Sequence, residues 1–211
     1  MKFEQLLALV HDEPLFETGL LLAGDRDPND VRRQLSRWVS AGQIRQLRRG
    51  LYLLAQPYQK VAPHPFLVAN ALMPGSYVSG QSALAFYGLI PEYVARTTSV
   101  TTTRPELWDG GYQFRHIAAS LFFGYKLVQL SQNQQAFVAT PEKALLDLAH
   151  FTPGSDSPGY LQELRLQNLE RLDTDQLNEF AQRAQKPKWL RVAKQVSVLW
   201  AAESESYDDL L

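Results

Sequence analysis

The chain has 211 residues, of which 45% are hydrophobic and 20% are charged, and its formal net charge at pH 7 is -1. This composition is typical of a globular protein and excludes a largely disordered chain. The sequence contains no cysteine, which excludes disulfide bonds and thiolate metal ligands and is compatible with a cytoplasmic location. Because no apolar run approaches the roughly 18 residues that a membrane span needs, we expect no membrane partner.

The first part of the chain has the pattern of a small domain with three helices and a hairpin. Apolar spacing and turn residues predict helices at Lys2–Val10, Phe16–Ala23 (ended by Gly24) and Val31–Ser40, and strands at Ile44–Leu47 and Leu51–Leu54. Asp27 is suited to cap the third helix, with Pro28 at its first position. Gly50 can adopt the positive φ that a tight hairpin requires.

The third helix and the hairpin concentrate positive charge. Residues 31–50 contain six arginines and no Asp or Glu, whereas residues 1–30 contain two basic and seven acidic residues. On a helical wheel one face is apolar, and we expect it to be buried; it carries Val31, Leu35, Trp38 and Val39. The candidate DNA-binding residues occupy the opposite face and the hairpin, and they are Arg32, Arg33, Ser36, Arg37, Arg45, Arg48 and Arg49.

This distribution predicts a winged helix-turn-helix that binds double-stranded DNA. An arginine can bind guanine through two hydrogen bonds, so we expect the helix residues to read bases. The hairpin arginines are expected to contact phosphates or to enter a minor groove. The alternative is a winged fold that binds another protein and whose arginines are only solvated.

We interpret residues 1–56 as this winged domain, 57–65 as a linker and 66–211 as a second domain. The proposed linker contains three prolines and little periodicity. The second domain alternates strand-like and helix-like runs and ends in helices. Its expected strands are Tyr77–Val78, Thr97–Thr103, Tyr112–Ile117, Tyr125–Leu130 and Ala136–Ala139. Its expected helices are Phe66–Met73, a helix from Ser79 to Tyr87, Pro141–His150, Tyr160–Leu166, Asp173–Ala184 and Lys188–Ala202. Ser79 and Thr140 are expected to cap the second and third of these helices. The acidic tail Glu203–Leu211 is expected to be mobile. The predicted fold class is therefore α+β, an N-terminal winged helix-turn-helix followed by a mixed α/β domain with C-terminal helices.

The second domain offers a candidate partner surface but no catalytic constellation. The helix after Thr140 is apolar except for a narrow stripe that we expect to be exposed, and a basic cluster lies near the C-terminus. The residues of this candidate surface are Lys143, Asp147, His150, Lys186, Lys188, Arg191 and Lys194. Asp147 and His150 are too few ligands for a metal site, and the segment around Ser82 lacks the second glycine of a nucleophile elbow. We therefore predict no enzymatic activity, no metal and no cofactor.

Several blocks of the sequence resemble the AbiEi antitoxin family. They are residues 1–55 with Arg49–Tyr52, Tyr77–Leu84 followed by Tyr87–Pro91, Thr102–Arg104, and Ala139–Asp147. The resemblance implies a type IV antitoxin of an abortive infection system, whose winged domain represses its own promoter by binding inverted repeats. It also implies that the C-terminal domain counteracts a nucleotidyltransferase toxin of the AbiEii kind, and it supplies no catalytic residues.

Two other functions remain open at this point. One is a stand-alone winged-helix repressor that senses a small molecule, which an apolar pocket under Phe114, Phe122, Phe123 and Tyr125 would favour. The other is a nucleic-acid-processing enzyme, a nuclease or transferase that the wing targets to DNA. A cluster of carboxylates around a cleft would favour that enzyme.

Overall fold

The computed structural model describes residues 1–23 and 26–208. The chain divides into two compact units. Unit 1 contains Met1–Pro74 and Gln129–Gln135, and unit 2 contains Gly75–Val128 and the chain from Ala136 onward. The described residues form helices together with two sheets, which confirms the α+β class. Within the described residues, no helix is both long enough and apolar enough to cross a membrane.

Unit 1 has the predicted helices and hairpin, with one additional strand. Its elements are α1 (Phe3–Val10), β1 (Phe16–Glu17), α2 (Thr18–Leu21), α3 (Pro28–Ser40), β2 (Ile44–Arg48), β3 (Leu51–Leu54) and α4 (Pro65–Leu72). Asp27 caps α3 as predicted, because its Oδ1 accepts a hydrogen bond from the Asn29 amide at 2.8 Å. The helix predicted from Phe16 is wrong at its start, because Phe16 pairs with Tyr52 of β3 and extends the sheet to the order β1-β3-β2.

The core of unit 1 lies between the three N-terminal helices and the hairpin. Its buried residues are Leu6, Val10, Phe16, Leu21, Val31, Leu35, Trp38, Ile44, Tyr52 and Leu54. The predicted buried face of α3 is thus confirmed, with Val39 packed against the core as a partly buried residue. Trp38 is 4% exposed and meets the ring of Phe3 edge-on, with centroids 5.7 Å apart. Gly50 has a φ of +84° in the hairpin turn, as expected.

The segment 57–65, expected to be a linker, lies inside unit 1. Gln134 holds this segment through both ends of its buried side-chain amide. Its Oε1 accepts a hydrogen bond from the His64 amide at 2.7 Å, and its Nε2 donates to the Ala62 carbonyl at 2.8 Å. His64 Nδ1 in turn accepts from the Phe66 amide at 3.1 Å and caps α4. The segment is therefore fixed by hydrogen bonds, and the division of the chain falls after Pro74 instead.

Unit 2 is built on a six-stranded mixed sheet with the order β6-β7-β5-β4-β9-β8. Its strands are β4 (Ser76–Val78), β5 (Thr97–Thr101), β6 (Glu106–Trp108), β7 (Tyr112–His116), β8 (Tyr125–Gln129) and β9 (Gln135–Ala139), of which β6 was not predicted. Its helices are α5 (Gly80–Phe86), α6 (Pro141–Phe151), α7 (Pro158–Glu163), α8 (Thr174–Ala184) and α9 (Pro187–Asp208). β5 runs parallel to β7, so that Thr98 lies beside Gln113 and Val100 beside Arg115.

Two expectations touch residues outside the described ranges. The helix end predicted at Gly24 lies there, as do the last three residues of the acidic tail. The first part of that tail differs from the expectation, because α9 continues to Asp208.

Candidate functional site

The exposed face of α3 carries the four residues predicted to read bases. Arg32, Arg33, Ser36 and Arg37 are all exposed. Arg33 forms an ion pair with Asp30 one turn earlier on the same helix. Because an exposed pair of this kind contributes only about 0.2–1 kcal/mol, a phosphate or a base can replace its carboxylate at small cost.

A concavity of about 600 Å³ in unit 1 borders the same face of α3, and it is lined in part by Arg26, Asp30, Arg33, Gln34 and Arg37. Arg26 is not among the residues predicted to bind DNA, because it stands between acidic neighbours in sequence and outside the acid-free segment 31–50. Its guanidinium donates a hydrogen bond to the Leu21 carbonyl at 3.4 Å, and the side chain is exposed. Arg26 therefore adds a further guanidinium to the surface of Arg33 and Arg37.

The three hairpin arginines have different surroundings. Arg45 and Arg49 are exposed, whereas the Arg48 side chain is only 25% exposed. A β-bulge immediately precedes Arg48, and such a bulge redirects a side chain. The Arg48 guanidinium donates to the Ala71 carbonyl at 2.9 Å, to the Arg49 carbonyl at 3.3 Å and to Glu17 at 3.4 Å. Arg48 thus connects the hairpin to β1 and α4, and its donors are already bound within unit 1.

The exposed stripe predicted on α6 is wrong for two of its three residues. Lys143 and Asp147 are 0% exposed and form a buried ion pair, while His150 is exposed. The Tyr77 hydroxyl accepts a hydrogen bond from Lys143 Nζ at 2.8 Å and lies 3.0 Å from Asp147 Oδ2, to which it donates. Ser79 Oγ also donates to Asp147 Oδ2, at 2.7 Å, so this hydroxyl does not cap α5 as predicted. Lys143 and Asp147 of this stripe therefore face polar partners inside unit 2.

Aromatic rings surround the ammonium group of this pair. Lys143 Nζ lies 5.3 Å from the ring centroid of Tyr77, 5.6 Å from that of Phe123 and 5.2 Å from that of Trp189. Burial lowers the pKa of Lys143, and the adjacent Asp147 carboxylate acts in the opposite direction. Burial and the same carboxylate raise the pKa of Tyr77, so the phenol keeps its proton as a donor. Because Lys143 has no exposed surface, its role in this arrangement is structural.

The second basic cluster is partly used within unit 2. Arg191 forms an ion pair with Asp156 at 2.7 Å, and this contact lowers the pKa of Asp156. Lys188 donates a hydrogen bond to the Thr152 carbonyl. Lys186, directly before α9, and Lys194, within α9, are exposed, so they remain as the candidate cationic surface.

The four aromatic residues expected under an apolar pocket occupy different places. Phe122 and Tyr125 pack on Tyr77, Phe123 packs on Phe180 and Trp189, and Phe114 is buried in β7. Within the described part of the chain, no group of three or more His, Asp and Glu residues is arranged to hold a metal ion. Ser82 Oγ lies 3.0 Å from the Arg96 carbonyl and 2.9 Å from the Thr98 amide, so it fixes the start of β5.

No family model matches the chain, and no curated protein matches it. The fold is similar to the crystal structure of the RV2827C protein from Mycobacterium tuberculosis, with a TM-score of 0.53 and 17% sequence identity. That similarity covers 94% of this chain and 80% of the other. At this identity the likeness concerns the fold alone.

Proposed function

We propose that unit 1 is a winged helix-turn-helix that binds double-stranded promoter DNA, with α3 as its recognition helix and the β2–β3 hairpin as its wing. The observation that carries this proposal is the exposure of five arginines in a segment without acidic residues. These residues are Arg32, Arg33, Arg37, Arg45 and Arg49. The order of the elements, with the hairpin directly after α3, supports the same interpretation.

The geometry of α3 suits a major groove. A helix of 13 residues is about 20 Å long, and its diameter matches a groove about 12 Å wide. Val31, Leu35 and Trp38 fix the inner face on the core, so the arginine face has a defined orientation. Arg45 and Arg49 then contact the backbone or an adjacent minor groove.

The salt dependence of binding tests this proposal. If about four of the five exposed arginines contact phosphates, the slope of log K against log salt concentration is near -4. Fluorescence anisotropy with a labelled fragment of the protein's own promoter measures this slope. We expect Arg49→Ala to make the slope less steep by about 1, while Arg104→Ala, at an exposed position of unit 2, leaves it unchanged. A slope indistinguishable from zero would refute DNA binding.

We further propose that the protein is a cytoplasmic autorepressor and antitoxin of a type IV abortive infection pair, counteracting a nucleotidyltransferase toxin. Support comes from the blocks that resemble the AbiEi family. Two of these blocks, Tyr77–Leu84 and Ala139–Asp147, contribute all four residues of the buried network around Lys143. These two blocks are therefore part of the core of unit 2.

Reciprocal variants of the full chain test the two activities. Changing Arg32, Arg33 and Arg37 to Ala is expected to abolish repression of a promoter reporter and to preserve rescue of cells that express a cognate nucleotidyltransferase toxin. Changing Lys186 and Lys194 to Glu is expected to do the opposite, because these exposed lysines, one directly before α9 and one within it, belong to the candidate partner surface. If wild-type protein gives no rescue, the antitoxin role is excluded, and the anisotropy measurement still decides on DNA binding.

A further inference from the structure

A second candidate site lies in unit 2 and is built from none of the elements proposed to bind DNA. A cavity of about 270 Å³ opens between the face of β5 and β7, the start of α5 and the end of α6. Polar residues line it: Gln81, Thr98, Gln113, Arg115 and Tyr160. The parallel pairing of β5 and β7 sets Thr98 beside Gln113 and Val100 beside Arg115. This face is apolar where it is fully buried, at Val100, whereas the polar Gln113 and Arg115 of β7 are half-buried and border the opening of the cavity.

Three of the polar side chains that line this cavity are not paired with other protein groups. Among the described residues, the side chains of Gln81, Gln113 and Arg115 form no hydrogen bond or ion pair with the protein. The contrast with Gln134 is clear, since both ends of that amide are hydrogen-bonded. Convergence of a few unpaired polar groups on one concavity is the usual character of a ligand site.

Arg115 sets the charge that a ligand would meet. Its guanidinium carbon lies 5.6 Å from the centroid of the Phe151 ring, and the residue is half-buried. Asp147 also borders the cavity, but it is fully buried and its oxygens are occupied by Lys143, Tyr77 and Ser79. The local field is therefore positive, and a guanidinium held on an aromatic face is suited to bind an anion through two parallel N–H groups.

We propose that this cavity binds a small organic anion, a carboxylate or a phosphate monoester, whose charged group pairs with Arg115. Gln81, Gln113 and Thr98 bind the polar remainder of the molecule. The volume of about 270 Å³ lies just below the ~300–1,000 Å³ of sites for drug-sized ligands, so the ligand is a small metabolite. The residues that line this cavity belong to unit 2 and not to α3 or the hairpin. Binding of the anion can therefore be tested independently of the proposed DNA binding.

Nuclear magnetic resonance on the full-length ¹⁵N-labelled protein tests the proposal. The probes are glycerol 3-phosphate and succinate, with glycerol as the neutral control and constant ionic strength throughout. We expect at least one anion to give saturable shifts of the Gln81 and Gln113 side-chain amides and of the Arg115 Nε–H signal. Saturation by only one anion identifies the phosphate or the carboxylate source.

Matched variants complete the test. Arg115→Gln is expected to weaken binding at least about tenfold, since it removes a charge-assisted pair, while Arg104→Gln makes the same charge change at an exposed position and leaves affinity unchanged. Gln113→Leu is expected to weaken binding as well, and it serves as the test if Arg115→Gln does not fold by circular dichroism. The proposal is overturned if neither anion saturates, if the shifts map to other residues, or if Arg104→Gln weakens binding as much as Arg115→Gln does.

Discussion

Replacement of Asp147 by Asn tests the account of the buried ion pair most directly. Asn keeps the shape of the side chain but removes the charge that compensates Lys143, which is 0% exposed. Breaking a buried pair by removing one partner costs about 3–5 kcal/mol, because the other charge stays in the interior. In Lys143→Met the Asp147 carboxylate keeps two hydroxyl donors, Tyr77 and Ser79, whereas in Asp147→Asn the Lys143 ammonium keeps the Tyr77 hydroxyl and has no charged partner. We therefore expect Asp147→Asn to be more destabilising than Lys143→Met.

The pH dependence of the same variant gives a second, independent signature. In Asp147→Asn, burial still lowers the pKa of Lys143, and the carboxylate that opposes this effect is absent. Between that lowered pKa and the ordinary lysine value, the folded variant therefore binds fewer protons than the unfolded chain. The free energy of unfolding therefore rises with pH, by up to about 1.4 kcal/mol per pH unit, until the pH approaches the ordinary lysine pKa of about 10.4. Between pH 7 and pH 9 the wild-type protein is expected to show a shallower slope of the same sign, because the Asp147 carboxylate opposes the lowering of the Lys143 pKa.

Urea unfolding followed by circular dichroism and by tryptophan fluorescence measures these quantities. The double variant Lys143→Met, Asp147→Leu leaves no buried charge, so we expect it to lose less stability than Asp147→Asn alone. Lys126→Met changes an exposed lysine of unit 2 and controls for the loss of charge, with an expected effect within about 0.5 kcal/mol. If the losses of the single variants Lys143→Met and Asp147→Leu simply add in the double variant, the pair is not coupled and the buried ion pair does not act as described.

Other predictions concern unit 1. Trp38→Ala is expected to cost about 3–5 kcal/mol as a large core truncation, measured as a lower Tm; an unchanged Tm would place Trp38 outside the core. Arg33→Ala is expected to reduce discrimination between operator and scrambled DNA by roughly 1–3 kcal/mol, whereas Arg49→Ala weakens both DNAs alike, and competition binding separates the two. Arg48→Ala is expected to lower the Tm as well as DNA affinity, because Arg48 holds the hairpin, while Arg49→Ala leaves the Tm unchanged. Burial lowers the pKa of His64, so stability falls as the pH drops below about 6.5; His64→Asn, which keeps a cap for α4, should reduce that fall in acid titrations.

The sequence predicts elements well where the information is local. The apolar spacing of α3, its cap at Asp27 and the glycine of the hairpin turn are each set by neighbours within a few residues, and all three are present. Phe16 shows the opposite case. Its segment looks helical by itself, but Tyr52 of β3 offers a strand partner 36 positions later, and pairing prevails over local propensity.

The candidate sites were harder to predict, because a polar residue at helical spacing has the same pattern whether it faces water or a polar interior. Lys143 and Asp147 were placed correctly on one stripe, yet the residues that bury them, Tyr77 and Ser79, lie more than 60 positions earlier. Arg48 cannot be told from Arg49 in sequence, since the difference lies in the contacts of the Arg48 guanidinium with Ala71 and Glu17. Charge counts therefore locate a surface, while the use of each side chain depends on its three-dimensional partners.

The assignment of the segment Gln129–Gln135 to unit 1 affects how the gene can recombine. Because it belongs to unit 1 although its flanks belong to unit 2, the chain passes between the units three times, after Pro74, Val128 and Gln135. Recombination at a single junction would deliver an N-terminal piece without Gln134, the side chain that fixes Ala62 and His64. Unit 1 therefore cannot be transferred between genes as one continuous stretch of coding sequence. If α3 is the recognition helix proposed above, new DNA specificity is expected to arise by substitutions on α3, within a gene that is inherited whole.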